Sequence, residues 1–261
     1  MDILPFDIPL PNISPLWISL KTAIAATVIA TVVSIAIAQW RVRYHGWWGW
    51  LVDGVMTLPL VLPPVVLGFG LLVLFGRNGP AGAALRSLGI QFIFAFPALV
   101  TAATVVAVPL VYRTTLTAFQ QVDPELIAVA RIAGASWGRI FWTLLLPLSW
   151  PGVMAGVVLA FARSLGEFGA TIMVAGSIPG RTVTIPIQIF LAAESGAMNI
   201  ALTWVGVAII VALGAIAVLH WLPGAQRLSG AKLIFRVVLC AAQAFDQLRN
   251  KVRDNFRDKR R

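Results

Sequence analysis

The chain has 261 residues, of which 59% are hydrophobic and only 11% charged, with a formal net charge of +10. Soluble domains carry about 25% charged residues, so the composition excludes an ordinary water-facing surface. Ten of the twenty Lys and Arg residues lie within Arg227–Arg261, a distribution that favours a tail resting on anionic lipid headgroups over a basic patch on a folded nucleic-acid-binding surface.

In chain order, the N-terminal stretch lacks the basic segment of a cleaved leader, because Asp2 and Asp7 precede the first apolar run. That run is also too long for a leader, so residues 1–16 are expected to be an extracytoplasmic segment followed by a retained helix. Runs of about 20 apolar residues cross a hydrocarbon core of about 30 Å as helices, because lipid satisfies no backbone polar group. The first span is expected at Trp17–Ala38 and the second at Gly54–Phe75. The second carries Pro59, Pro63 and Pro64, which remove backbone donors and kink a helix. Such a kink serves either packing or a transport cavity. The third span is expected at Phe92–Tyr112.

The connection 113–148 is the largest before the tail, and it is not a polar loop. Asp123 is a good N-cap, Pro124 suits the first helical position, and Gly134 is a helix stop. A second short helix is expected from Ser136, with Pro147 resetting the chain before the next span. Two short helices rich in Ala and apolar residues either fit a groove on another protein or lie flat on their own bundle.

The fourth span is expected at Trp150–Ala175. It contains Phe161-Ala162-Arg163-Ser164-Leu165-Gly166-Glu167-Phe168-Gly169-Ala170-Thr171. A charge inside a span costs about 2.5–3.5 kcal/mol on insertion scales unless it is paired or hydrated. The i,i+4 spacing of Arg163 and Glu167 lets them pair on one helix face, while Gly166 and Gly169 permit close helix approach. The pair is either part of a transport path or a structural clamp. The fifth span is expected at Ile200–Leu222, leaving 17–222 as the membrane domain and 223–261 as a basic cytoplasmic tail. Within the tail, Lys232–Phe256 is too short and too interrupted by Arg236 to span, and reads as an interfacial or docking helix, or as a loosely ordered tail. Lys and Arg counts orient the chain: the segments 39–53, 113–149 and 223–261 hold fifteen, against Arg77, Arg86 and Arg181 on the other side. The N-terminus is therefore expected outside and the C-terminus inside. Cys240 is the single cysteine, which excludes an intrachain disulfide.

The loop resembles the cytoplasmic loop of ABC importer permeases, whose pattern is Glu-Ala-Ala, three residues, Gly, nine residues, then Ile-x-Leu-Pro. With that Gly on Gly134, the Ile falls on Leu144 and the Leu-Pro on Leu146-Pro147. Ala130 falls on the second Ala if the Glu is set on Ala128, and just after it if the Glu is set on Ile127. The family's Glu falls on Ala128, or one residue earlier on Ile127, with Glu125 further upstream, so the usual acidic contact is missing or shifted. The runs 58–79 and 161–171, and the loop Ile178–Pro186, resemble the molybdate and tungstate branch of these permeases.

The resemblance implies an all-α, type I (MetI-like) importer fold in a bacterial inner membrane, with a homodimeric pore and two ABC ATPase subunits docked on the loop. It also implies a periplasmic oxyanion-binding protein. The coupling residues it implies are Glu125, Ala128, Ala130, Gly134, Ala135, Leu144, Leu146 and Pro147. Pro63, Pro64, Arg163, Ser164, Gly166, Glu167, Gly169 and Thr171 are candidates for the path or gate. The sequence has no Gly-x4-Gly-Lys-Ser/Thr phosphate loop, so ATP and Mg are expected on the partner ATPase, with no cofactor or metal on this chain. The rival readings are a sulfate permease, an ion-coupled secondary transporter, for which one Pro-broken span without a second copy is poor support, and an intramembrane enzyme. The last finds only Glu167 well inside a span, with His45 and His220 at span ends.

Overall fold

The computed structural model describes residues 13–44 and 46–221. The expectations for residues 1–12, His45 and the tail 222–261, including Lys232–Phe256 and Cys240, lie outside the described residues. Four helices are long and apolar enough to cross a membrane, and a fifth crossing is present if one sharply bent pair is counted together.

Helix α1 (Ser14–Arg43) carries Pro15 in its first turn, where a missing N–H costs nothing. It buries Ala23, Ala26, Ala30, Ser34 and Ala38, a ladder of small residues that brings a neighbouring backbone close. That neighbour is α5 (Phe96–Gln120), which answers with Ala98, Ala102, Ala103 and Ala107. Ser34 Oγ donates to Val108 O across the seam at 3.1 Å. Helix α5 is the axis of the bundle, with α1 on one side and the fourth long helix on another.

Between them, α2 (Trp47–Val61) follows α1 after a short turn, and α3 (Pro64–Phe75) leaves it at 115°. The expected kink is thus a full break. A residue before proline is driven out of the α region. Pro63-Pro64 therefore forces both Leu62 (ψ 138°) and Pro63 (ψ 138°) into extended backbone. Helices α4 (Pro80–Ser87) and α10 (Ile185–Glu194) are short and were not expected from the sequence.

After α5 comes α6 (Pro124–Ile132), then α7 (Trp137–Ile140), a π turn over Phe141–Leu145, and α8 (Leu146–Leu165). Here the structure corrects the sequence reading. Trp137–Leu165 is one helical run of 29 residues, so α7 is the foot of the fourth helix and not a separate loop helix. Pro147 does not reset the chain. It cannot donate to the carbonyl four residues back, and the π turn absorbs this, with Leu146 N–H reaching Phe141 O. On α8, Ser149 Oγ donates to Ala118 O at 3.1 Å, and Gly152 and Gly156 lie directly on α5.

The expected fourth span ends early. Helix α8 stops at Leu165, and α9 (Gly169–Ala175) resumes after an irregular 166–168. Helix α11 (Met198–Trp221) is the last span among the described residues. Two apolar clusters close the ends of the bundle. At the Ser14 end, Ile18, Ala98, Leu99, Ala102, Ala170 and Val174 pack together. At the Arg43 end, Tyr112, Phe119, Phe141, Leu145 and Val153 do so.

Candidate functional site

Two constructions stand apart from the packed bundle. The first is α6. Asp123 Oδ1 accepts from Glu125 N at 2.9 Å, capping the N-terminus as the sequence predicts. At the other end Gly134 has φ +80°, Gly134 N–H donates to Arg131 O (2.9 Å) and Ala135 N–H to Ala130 O (3.0 Å). That bond pair is a Schellman stop, which needs a left-handed residue. Ile127 packs against the core at the Arg43 end. Leu126, Val129 and Ile132 do not; they are 46, 64 and 87% exposed at i, i+3, i+6 spacing. One face of this helix therefore lies on the bundle, and the opposite face is open.

The structure divides the residues expected to couple. Glu125, Ala128 and Gly134 are exposed on α6 and its stop, with Ala130 and Ala135 partly covered. Leu144 and Leu146 instead belong to the fourth helix, packed against the core, and Pro147 lies on its exposed side. Trp137 ties the two parts together. Its ring has the Arg43 guanidinium at 5.0 Å and the Arg131 guanidinium at 5.5 Å, within cation–π range. One indole thus links the end of α1, the projecting helix and the foot of the fourth helix.

The second construction is where two breaks meet. A side chain on Gly169 would stand 3.1 Å from Pro64 Cβ and 3.3 Å from Val65, so the start of α9 lies on the start of α3. Gly68 is equally tight against Ala170 and Met173, at 2.8 Å. Of the residues expected on the path, Pro64 and Gly169 are thereby brought into contact. Glu167, beyond the end of α8, is 2% exposed; its Oε1 accepts from Ala170 N at 2.8 Å and its backbone carbonyl accepts from Thr171 Oγ1. Its Oε2 lies 2.8 Å from Arg163 Nη1 without an aligned N–H, so the contact is an ion pair and not a hydrogen bond. The expected pair forms, although the helix face that was to carry it ends between the two residues. Ser164 Oγ is buried nearby without a partner.

A third polar cluster lies where the sequence predicts only the connecting segment 39–53. Asp53, in α2, binds Arg41 Nε at 3.0 Å and accepts from the fully buried Tyr112 hydroxyl. Arg41 Nη1 also donates to Tyr44 O at 2.7 Å. The only sequence signal was an acid seven residues into an apolar stretch. Among the described residues no group of three or more His, Cys, Asp or Glu side chains gathers as a metal site.

An all-helical bundle with several apolar spans, two of them broken and touching, and one capped helix projecting at an end defines a multi-pass membrane transport subunit. The chain belongs to the family of binding-protein-dependent transport system inner membrane components, whose model matches residues 30–220. It is 44% identical over 180 residues to the molybdenum transport system permease protein ModB of Haemophilus influenzae, covering 69% of this chain and 79% of that protein. Against the ModB of Escherichia coli (strain K12) it is 42% identical over 206 residues, covering 77% and 90% respectively. Among solved structures, a bacterial ABC transporter involved in the import of the acidic polysaccharide alginate shares the fold. The TM-score is 0.65 at 18% identity, covering 84% of this chain and 85% of that one. By their names these relatives are transport components.

Proposed function

We propose that this chain is the permease subunit of an ATP-driven importer of a tetrahedral oxyanion, molybdate with tungstate as its analogue. The observation that carries the transport mechanism is α6: a short helix, rigidly capped at both ends, with an open apolar stripe at Leu126, Val129 and Ile132. Such a face suits a groove on a second protein. The substrate is supported by the names of the relatives at over 40% identity.

In this reading two copies of the chain form the path, two ATPase subunits holding ATP and Mg seat α6, and a periplasmic binding protein delivers the anion. The N-terminus is outside and the tail inside, because Arg41, Arg43, Arg131 and Arg139 gather at the α6 end. Closure of the ATPase pair pushes α6. Trp137 passes the displacement to α1 and to the continuous Trp137–Leu165 run, whose far end carries Arg163 and the converging breaks. Pro63, Pro64, Ser164, Gly166, Gly169 and Thr171 line or gate the path there.

The test is purification of the tagged chain from native membranes followed by uptake competition in reconstituted vesicles. An ATP-hydrolysing subunit is expected to copurify, and molybdate and tungstate are expected to displace labelled molybdate at lower concentration than sulfate. Preferential displacement by sulfate would transfer the chain to the sulfate permeases. Absence of any ATPase would refute the proposal.

A further inference from the structure

We infer that the Arg163 guanidinium is itself an oxyanion contact in the path, an inference that rests on the importer reading above. Arg163 lies on an open stripe at the C-terminal end of α8, with Leu159 four residues before it and Gly166, the first residue past the helix, three after; Leu159 is 37% exposed and the Arg163 side chain 35%. A guanidinium is not stable against lipid tails. This stripe therefore faces water or polar groups. It ends where α8 gives way to irregular backbone at 166–168, and the residue that follows, Gly169, lies against Pro64 at the second break. Irregular backbone at membrane depth is tolerated where it is buried in protein or lines a cavity.

Glu167 does not cancel this charge for an anion in the path. Its side chain is 1% exposed, and one oxygen is fixed on the Ala170 N–H. The anionic partner is thus held behind the guanidinium, and an arriving anion meets the cation first. Because the Arg163–Glu167 contact is not an aligned hydrogen bond, the planar N–H fork is not used up by the carboxylate. That fork matches two oxygens of a tetrahedral anion. The buried carboxylate also weakens the hold, which a path requires: a contact must be favourable enough to enter and weak enough to leave.

The test uses uptake of labelled molybdate by vesicles bearing the full transporter. Half-saturation is set by the binding protein, so Arg163→Gln should lower the maximal rate at least tenfold and leave half-saturation unchanged, with Arg163→Lys retaining part of the rate. The double variant Arg163→Gln/Glu167→Gln removes both charges and leaves none unpaired. If Arg163 is an anion contact, the double variant stays slow. If the pair is only a clamp, it recovers to within twofold of wild type, and the proposal fails. A second measurement covers poor assembly of these variants: Arg163→Cys in a Cys240→Ser background, treated with aminoethyl or sulfonatoethyl methanethiosulfonate. Reaction followed by recovery of uptake only with the cationic reagent supports the contact. No reaction from the aqueous side, or equal recovery with both reagents, overturns it. Wild-type vesicles that take up no tetrahedral oxyanion would instead refute the importer reading on which it rests.

Discussion

Gly134 allows the docking role of α6 to be separated from its folding. The residue holds φ +80° at the Schellman stop, and a side chain placed there would meet nothing within 4 Å. Substitution therefore costs backbone strain and no internal clash. Left-handed backbone costs an L-residue about 1–2 kcal/mol, with Asn paying less because it tolerates that region. For a domain of about 200 residues, that strain corresponds to a fall in melting temperature of several degrees at most. Gly134→Phe should consequently insert normally and melt close to wild type in detergent, while its ring projects from the stop into whatever seats α6. Uptake is expected to fall more than tenfold, a loss above about 1.4 kcal/mol in effective coupling. Gly134→Asn, with the backbone satisfied and a smaller side chain, should keep an intermediate rate. Wild-type uptake by Gly134→Phe would show that nothing seats against the α6 stop. A loss of stability well beyond about 2 kcal/mol would refute the reasoning, since strain would then explain the lost transport.

Three further outcomes follow from the packing. Gly68→Val should destabilise the protein by about 1–3 kcal/mol, because its Cβ would stand 2.8 Å from Ala170 Cα, whereas Gly70→Ala, with nothing within 4 Å, should be tolerated; thermal unfolding in detergent measures both. Asp53→Ala leaves Arg41 and Tyr112 without their shared carboxylate and should cost about 3 kcal/mol, against about 1 kcal/mol for Tyr112→Phe; equal losses in the same melting assay would show that the cluster is not held by charge. Trp137→Ala removes two cation–π contacts of about 0.5–1 kcal/mol each and should raise the ATP hydrolysed per molybdate transported, with Trp137→Phe close to wild type. An unchanged ratio would remove Trp137 from the coupling route.

Local chemistry was legible in the sequence, and long-range pairing was not. The apolar runs gave the spans because lipid leaves the backbone no other option. Asp123, Pro124 and Gly134 gave α6 because caps act within a few residues. Pro63-Pro64 gave a break, but its 115° angle depends on α3 seating against α9 through Gly68 and Gly169. Pro147 misled, since a π turn can carry a helix past a proline when packing on α5 favours continuity. The end of α8 was hidden because Gly166 and Glu167 sit in an unbroken apolar run, and a buried carboxylate can cap a new helix as well as pair on an old one. Arg41, Asp53 and Tyr112 are far apart in sequence, and nothing local announces that they meet. Helices α4 and α10 are too short for hydropathy to separate from loops.

If α6 is a knob seated in an energy-supplying subunit, a photoreactive residue in place of Val129, activated in native membranes, should crosslink to a nucleotide-hydrolysing protein. The crosslink should be absent when the same residue replaces Arg181 in the loop after α9. Crosslinks from position 129 only to lipid, or to a protein of the outer compartment, would contradict that seating.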